Sequence, residues 1–304
     1  MQDFKAILAA IHAELNSEVD RGIVASYIPE LATVDSNKFG IHVATMEGPS
    51  YCIGDWNQPF SIQSVSKVLT LSIAMGLVGE SLWKRVDVEP SGNPFNHLSL
   101  LELESGIPRN PLINSGAIVV ADVLVSELKN PKEDLLAYVR DLANDQSIRF
   151  NEEVAQSEIR TGFKNFAAAN LLKSFGNLNN DVDEVLDFYF HQCSLEMNCA
   201  QLSKTFYFLA NRGKCSRGKT YLNESQIKRI NALMLSCGFY DEAGEFGFKV
   251  GLPGKSGVGG GIVALLPNHF VISTLSPGLN IKGNSKLGME ALERFTTKSK
   301  LSIF

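Results

Sequence analysis

Strand-like patterns lie near both ends of this chain, and a long series of helical patterns separates them. Runs of β-branched and aromatic residues predict five strands, at residues 39–45, 51–53, 246–250, 261–266 and 270–275. Helical spacing in the first fifteen residues and over 285–298 predicts a helix at each terminus. Strands from the two ends share one sheet only by pairing across the whole chain. The pattern therefore predicts an α+β fold, in which an antiparallel sheet is flanked by terminal helices and carries an inserted helical lobe.

The middle of the chain is predicted to be mostly helical. Helices are expected at residues 66–77, 117–128, 132–142, 165–175, 183–193 and 200–213. With 304 residues, of which 44% are hydrophobic, the chain can bury a large core. We therefore expect a single domain over residues 1–304, with a sheet lobe of roughly 1–62 and 240–304 and a helical lobe of roughly 63–239.

Ser64 and Lys67 stand three residues apart, where a polar segment gives way to an apolar helix. At helical spacing their side chains share one face, so the amine of Lys67 could take the proton of Ser64 and activate it as a nucleophile. The spacing alone is a weak signal, because Ser-x-x-Lys is more often a helix cap beside a solvated lysine. A serine acyl-transfer enzyme is the first hypothesis.

The triplet Lys255-Ser256-Gly257 strengthens that hypothesis. A serine of this kind is typically faced by a strand that carries Lys-Thr/Ser-Gly, and the small and then β-branched residues after Gly257 predict a buried strand passing close to a ligand. We expect Lys255 to organise the strand or the local charge. The same stretch is similar to the end of a phosphate-binding loop, but Lys249 occupies the position where that loop needs glycine, which excludes a nucleotide site.

Charge and composition favour small-molecule chemistry. The formal net charge is -5 and the pI is near 5.6, so the chain has no general attraction to nucleic acid or to anionic membranes. The first residues lack the continuous apolar core of a secretory signal, and no run approaches the length needed to span a bilayer. The five cysteines are odd in number and lack Cys-x-x-Cys spacing, which predicts reduced, buried thiols in a cytoplasmic protein. The histidines do not cluster, so we expect no metal and no cofactor.

Several longer motifs are more specific than these spacings. They span residues 27–32 (YIPELA), 63–67 (QSVSK), 89–96 (EPSGNPFN), 109–118 (RNPLINSGAI), 151–158 (NEEVAQSE), 165–167 (NFA), 186–190 (LDFYF), 236–240 (SCGFY) and 251–261 (GLPGKSGVGGG). In this order, over nearly the whole chain, they resemble the bacterial glutaminase family, whose members are serine-dependent and have the β-lactamase and penicillin-binding-protein fold. The loop at 89–96 is rich in proline and glycine, and we expect it to be structural.

The resemblance implies hydrolysis of L-glutamine to L-glutamate and ammonia through a serine acyl-enzyme. Ser64 would be the nucleophile and Lys67 its base, while Tyr240 would relay the proton near Ser64. The backbone N–H groups of Ser64 and Val258 would form the oxyanion hole. The sequence leaves open whether Lys67 or Tyr240 is the main proton acceptor.

The resemblance also implies which residues hold the substrate. They are Ser64, Asn114, Glu158, Asn165, Tyr189, Tyr240, Val258 and, at the pocket edge, Tyr27. Taken alone, Asn114 could be a turn residue, Glu158 a solvated helix start and Asn165 a helix cap. The chain departs from the common family pattern at Ser115, in place of alanine, and at Phe163-Lys164, in place of an acidic-basic pair. We expect activity to survive these changes, and their effect on affinity stays open.

Family resemblance further implies a homodimer or homotetramer. Two other classes of function stay open. A β-lactamase-like or peptidase hydrolase acting on cell-wall material would work outside the cytoplasm, which the missing signal disfavours. A catalytically silent binding or scaffold protein would have no need to keep Ser64, Lys67 and the glycine-rich strand.

Overall fold

The computed structural model describes residues 3–94 and 96–304. Met1 and Gln2 of the predicted N-terminal helix, and Phe95 of the 89–96 loop, lie outside the described residues. The described residues form eight strands: β1 (Gly40–Thr45), β2 (Tyr51–Gly54), β3 (Phe60–Ser61), β4 (Arg149–Phe150), β5 (Leu195–Met197), β6 (Gly254–Ser256), β7 (Gly261–Leu266) and β8 (Phe270–Leu275).

Five of these strands form one antiparallel sheet in the order β2-β1-β8-β7-β6. β1 pairs with β8 along its full length, and Ile41, for example, lies opposite Thr274. The prediction that strands from both ends of the chain build one antiparallel sheet is therefore confirmed. A smaller sheet, in the order β3-β5-β4, joins the start of the helical region to its later part.

The same residues form thirteen α-helices and three short 3-10 turns. The helices are α1 (Phe4–Asn16), α2 (Pro29–Ala32), α3 (Ser66–Val78), α4 (Ser99–Leu103), α5 (Asn114–Glu127), α6 (Pro131–Ala143), α7 (Glu152–Thr161), α8 (Phe163–Ser174), α9 (Val182–Cys193), α10 (Cys199–Ala210), α11 (Glu224–Cys237), α12 (Ala243–Lys249) and α13 (Lys286–Ser299). The 3-10 turns are Gln63–Val65, Gly79–Lys84 and Tyr240–Glu242. The mostly helical middle is confirmed, while the proposed lobe boundaries stay a prediction.

The central strands of the large sheet are buried on both faces, because alternate side chains point into two different cores. Ile41, Val43, Ile262, Ala264 and Ile272 pack in one core with Leu8, Ile11 and Leu15 of α1 and Leu287, Leu292 and Phe295 of α13. Val263, Leu265, Val271 and Leu275 belong to the other core, with the helices of the middle region. The terminal helices therefore flank the sheet, as predicted.

The strand predicted at residues 246–250 is wrong. Residues 246–249 belong to α12, Val250 is the cap that follows the helix, and the edge strand β6 lies a few residues later. Alternating apolar residues suggested a strand, but Phe246 is fully buried while Phe248 is 90% exposed. In the helix, Ala243, Phe246 and Val250 share one buried face at spacings of three and four, and Phe248 points away from it.

The expectation that no segment approaches the length of a membrane span also needs correction. The run Gln63–Lys84, in which α3 continues from one 3-10 turn into the next, is 22 residues long and apolar enough to cross a membrane by length and composition. Most of its apolar window, 61%, is buried inside the protein. Such burial is what a core helix of a folded domain shows.

All five cysteines are free thiols, and four of them are buried as expected. Cys52 is the exception, because it lies on β2, where alternate side chains point to solvent. The prediction of buried thiols is therefore wrong at this one position.

Candidate active site

A cavity of about 520 Å³ opens beside the start of α3. Eight of the nine residues predicted for the site line it: Tyr27, Ser64, Asn114, Glu158, Asn165, Tyr189, Tyr240 and Val258. Lys67, the ninth, is 1% exposed and lies in the protein interior next to the pocket residue Asn114. Residues from distant parts of the sequence therefore meet at one concave site.

Ser64 lies in the 3-10 turn Gln63–Val65, between β3 and α3. Gln63 has a φ of 50°, which is costly for a residue with a side chain and is held where the surroundings require it. The connection from β6 to β7 packs directly against this turn. A Cβ at Gly257 would lie 2.4 Å from the carbonyl oxygen of Ile62, and one at Gly259 would lie 2.1 Å from that of Ser61. Glycine is therefore required at both positions, and the backbone on either side of Val258 packs against the segment that leads into Ser64.

Lys67 is held beside the pocket by two oxygen atoms. Its Nζ donates to Asn114 Oδ1 at 2.6 Å and to the carbonyl oxygen of Leu112 at 3.3 Å. Burial lowers the pKa of Lys67 to about 8, against the opposing influence of Cys193 and Glu158. A substantial share of this amine is therefore neutral near pH 8, as a base must be.

Tyr240 lines the pocket together with Ser64, and the Ser64 side chain acts on the tyrosine by lowering its pKa against the larger effect of burial. Tyr240 lies in the 3-10 turn Tyr240–Glu242 with a φ of 58°. Its hydroxyl oxygen accepts a hydrogen bond from Lys255 Nζ at 3.1 Å, and this Nζ lies 4.2 Å from the centroid of the tyrosine ring. On the same ring, Lys67 Nζ lies 5.5 Å from the centroid. Tyr240 therefore stands between two buried lysines and the candidate nucleophile.

The ionisation of these groups follows from their burial. Burial raises the pKa of Tyr240 well above its usual value, so the phenol is neutral at ordinary pH. Burial, reinforced by the positive charge of Lys67, holds the pKa of Lys255 well below its usual range. The sequence predicted that Lys255 organises the strand or the local charge, and the structure adds a direct hydrogen bond to Tyr240.

Glu158 lies in the second half of α7, so it is not a solvated helix start. The carboxylate is buried, and its Oε1 accepts a hydrogen bond from Gln63 Nε2 at 2.9 Å. Burial raises the pKa of Glu158 to about 7, although the bond from Gln63 and the charge of Lys67 act in the opposite direction. A buried acid that lines a pocket is suited to receiving a cationic group.

Asn114 and Asn165 form a short chain of hydrogen bonds with Lys67. Asn114, the first residue of α5, accepts from Lys67 and donates through Nδ2 to Asn165 Oδ1 at 2.9 Å. Asn165 lies in the first turn of α8, whose cap position is Gly162. Asn114 therefore does more than form a turn, and Asn165 is not the helix cap.

The remaining predicted residues form the walls. Tyr189 is buried on α9, one turn before the pocket residue Cys193, whereas Tyr27 is 54% exposed at the pocket edge. Val258 lies in the tight connection between β6 and β7, and its backbone N–H has no hydrogen-bond partner in the described part of the chain. This N–H is available to an oxygen atom in the pocket.

Sequence reasoning missed several residues of the pocket. Gln63 was only part of a motif, yet it donates both to Glu158 and, at 3.0 Å, to Ser61 Oγ. Cys193, Ile28 and Thr161 also line the cavity. The spacing of Tyr189 and Cys193, four residues apart on one helix, is a signal that could have placed the thiol beside the tyrosine.

The mixed fold, with its serine at the start of a buried helix beside a Lys-Ser-Gly strand, defines the class of serine β-lactamase-like hydrolases. The model of the family described as Glutaminase matches residues 22–304. A glutaminase of Christiangramia forsetii is 55% identical over 303 residues, which cover 99% of this chain and 100% of that protein.

Solved structures agree with these sequence matches. The structure of the probable glutaminase ybaS has a TM-score of 0.94 and 33% identity, covering 100% of this chain and 99% of that one. The probable glutaminase from Bacillus subtilis complexed with 6-diazo-5-oxo-L-norleucine has a TM-score of 0.89 and 32% identity, covering 100% and 98%. The chain therefore belongs to the glutaminase family, and the family and fold predicted from the motifs are confirmed.

Proposed function

We propose that this glutamine-hydrolysing enzyme cleaves L-glutamine to L-glutamate and ammonia through a serine acyl-enzyme, with Ser64 as the nucleophile. The observation that carries the proposal is the placement of Ser64 and Tyr240 in one pocket, where Tyr240 is flanked by Lys67 and Lys255. A primary amide is a poor electrophile, and an acyl-enzyme divides its hydrolysis into two easier steps.

In the first step, Ser64 Oγ bonds to the amide carbon of the side chain and gives up its proton. Tyr240 relays this proton, and Lys67 is the base in the proposal because its pKa of about 8 leaves part of it neutral. The negative oxygen of the intermediate accepts hydrogen bonds from the backbone N–H groups of Ser64 and Val258. Such a donor contributes about 3 to 4 kcal/mol in other enzymes.

Collapse of the intermediate breaks the carbon–nitrogen bond. The proton held by Lys67 passes to the leaving nitrogen, and ammonia departs. Water then attacks the ester, with its proton taken along the same route, to release glutamate and restore Ser64. A neutral Lys67 can keep its bonds to Asn114 and Leu112 through its two N–H groups, and its lone pair remains to accept the proton.

The α-groups of glutamine set the orientation. Glu158 is the buried acid of the pocket and would bind the α-ammonium group. Because Asn165 Oδ1 already accepts from Asn114, the amide nitrogen of Asn165 remains as a donor for the α-carboxylate. Tyr189 and Tyr27 enclose the aliphatic part of the substrate.

The decisive experiment measures ammonia and glutamate released by the purified protein from glutamine and from asparagine, with nitrocefin as a β-lactam substrate. We expect glutamine to be preferred over asparagine by on the order of a hundredfold in kcat/KM, because a shorter side chain withdraws the amide from Ser64 while its α-groups are fixed. Comparable rates with asparagine would refute this substrate geometry. Turnover of nitrocefin without ammonia release from glutamine would favour the β-lactamase-like alternative.

We also propose a homodimer or homotetramer located in the cytoplasm. Family resemblance supports the assembly, and five free thiols suit a reducing compartment. Size-exclusion chromatography with light scattering tests the assembly, and a monomer would contradict it. Cell fractionation tests the location.

A further inference from the structure

A buried carboxylate lies two residues after Tyr240, outside the pocket wall. Glu242 is 6% exposed and ends the 3-10 turn that Tyr240 begins. Its two oxygens accept hydrogen bonds from Asn280 Nδ2 at 2.9 and 3.0 Å, and Oε2 also accepts one from Asn284 Nδ2. A buried charge normally needs such partners to be tolerated, so each of these bonds is a constraint on the turn.

These bonds continue back to the tyrosine hydroxyl. Asn284 Oδ1 accepts from Ser256 Oγ, and the carbonyl oxygen of Ser256 accepts from Lys255 Nζ at 2.6 Å. The same Nζ donates to Tyr240 Oη. Tyr240 and Glu242 belong to one turn, so the backbone of that turn closes the series of hydrogen bonds into a ring. We call it the Glu242 ring, and its members are Tyr240, Lys255, Ser256, Asn284 and Glu242.

The backbone of Tyr240 shows why such a ring is useful. A φ of 58° is unfavourable for a bulky side chain, by about 1 to 3 kcal/mol, and persists only when the surroundings hold it. The placement of the tyrosine side chain in the pocket that Ser64 also lines depends on this conformation. The ring fixes the turn at one end, through Glu242, and the hydroxyl at the other, through Lys255.

We propose that Glu242 is a positioning residue for Tyr240, acting through Asn284, Ser256 and Lys255. This inference rests on the proposed role of Tyr240 in the proton relay. Glu242 itself does not line the cavity, so its contribution is to hold the tyrosine hydroxyl at Ser64. Loss of the ring lowers the rate of the chemical step and leaves the binding of glutamine largely unchanged.

The first test is Glu242→Gln, which keeps the shape but replaces one acceptor oxygen with a donor that opposes the asparagine amides. We expect kcat for glutamine to fall about tenfold to a hundredfold while KM stays within about twofold, because a reacting group is displaced by a fraction of a bond length. An unchanged kcat overturns the proposal. A rise in KM with kcat unchanged does so as well.

A double-mutant cycle with Tyr240→Phe separates positioning from general damage. If Glu242 acts through Tyr240, the substitution Glu242→Gln causes no further loss of kcat in the Tyr240→Phe background. Equal losses in both backgrounds overturn the proposal. If Tyr240→Phe leaves too little activity to measure, a crystal structure of Glu242→Gln decides, since Tyr240 Oη must have moved away from Ser64. An unmoved hydroxyl refutes the inference.

Asp122→Asn is the matched control. Asp122 is equally buried, but its carboxylate is bound by Arg85 and by the backbone N–H groups of Asn179 and Asn180, away from the pocket. We expect it to lower the melting temperature and leave kcat per folded molecule unchanged. If wild-type protein releases no ammonia from glutamine, the proposed function fails. If Tyr240→Phe is fully active, the proposed proton relay through Tyr240 is wrong. The positioning role of Glu242 is then decided by kcat and by the crystal structure of Glu242→Gln.

Discussion

At the scale of single residues, the position of Ser64 gives the sharpest prediction. Replacing Ser64 by alanine removes the proposed nucleophile and little volume, so the fold should persist while kcat falls by roughly 10⁴-fold or more. Ammonia release and circular dichroism measure the two effects. Ser66→Ala is the control, because Ser66 Oγ bonds to the carbonyl oxygen of Gln63 instead of lying in the cavity wall. A Ser64→Ala enzyme that keeps more than a few per cent of wild-type turnover would show another nucleophile.

The lowered pKa of Lys67 predicts that kcat depends on pH. Burial lowers its pKa to about 8, and only the neutral amine accepts a proton, so kcat should rise as the pH increases through about 8. Lys67→Arg should be nearly inactive because guanidinium stays protonated. The exposed Lys204→Arg should behave as wild type. The measurement is kcat between pH 6 and 10, and an active Lys67→Arg enzyme would move the role of base to Tyr240 or water.

The raised pKa of Glu158 predicts that KM for glutamine also depends on pH. Its pKa is raised to about 7, so the carboxylate is fully charged only above that pH, and KM for glutamine should fall between pH 6 and 8. Glu158→Gln should raise KM by about tenfold or more and remove this dependence, since a charged hydrogen bond is lost. Glu153→Gln, exposed on the same helix, is the control. An unchanged KM in Glu158→Gln would exclude the proposed ammonium contact.

The sequence placed these residues better than it described their contacts. The order of the motifs indicated the family, and the resemblance to that family predicted eight residues that line the pocket. It could not show that Gln63 contacts Glu158, or that Lys255 contacts Tyr240, because both contacts depend on long-range packing. The positive φ of Gln63 and Tyr240 was also hidden, since neither residue type favours that region.

At the scale of elements, the turn between β6 and β7 controls the site through its glycines. Gly259→Ala places a Cβ against the carbonyl oxygen of Ser61, so the turn must move away from Ser64. We expect a loss of about 1 to 3 kcal/mol in the free energy of unfolding and a marked loss of kcat. Gly247→Ala on α12 is the control, because a Cβ there meets nothing within 4 Å. Thermal unfolding and ammonia release test both, and a fully active Gly259→Ala enzyme would contradict this account.

Element boundaries show where local patterns suffice. The strands β7 and β8 coincide with their predictions because each is a short run rich in β-branched and apolar residues between turns. The helix α11 was not predicted, although the reciprocal cap between Asn223 and Gln226 marks its start. Residues 246–250 were misread because alternation fits a short amphipathic helix almost as well as a strand, and only the packing of Phe246 on Phe239 decides between them.

At the scale of the whole molecule, the pairing of β1 with β8 governs the order in which the protein can fold during synthesis. The hairpin of β1 and β2 leaves the ribosome early, but its partner strand β8, which ends at Leu275, is made much later. Until then one edge of β1 has no strand to pair with, which is a condition that favours aggregation of a nascent chain. Ser64 and Glu158 are made long before Val258, so the pocket is completed only after the segment that contains Val258 has been made. A ribosome that stalls before Val258 would therefore release a polypeptide with an incomplete pocket.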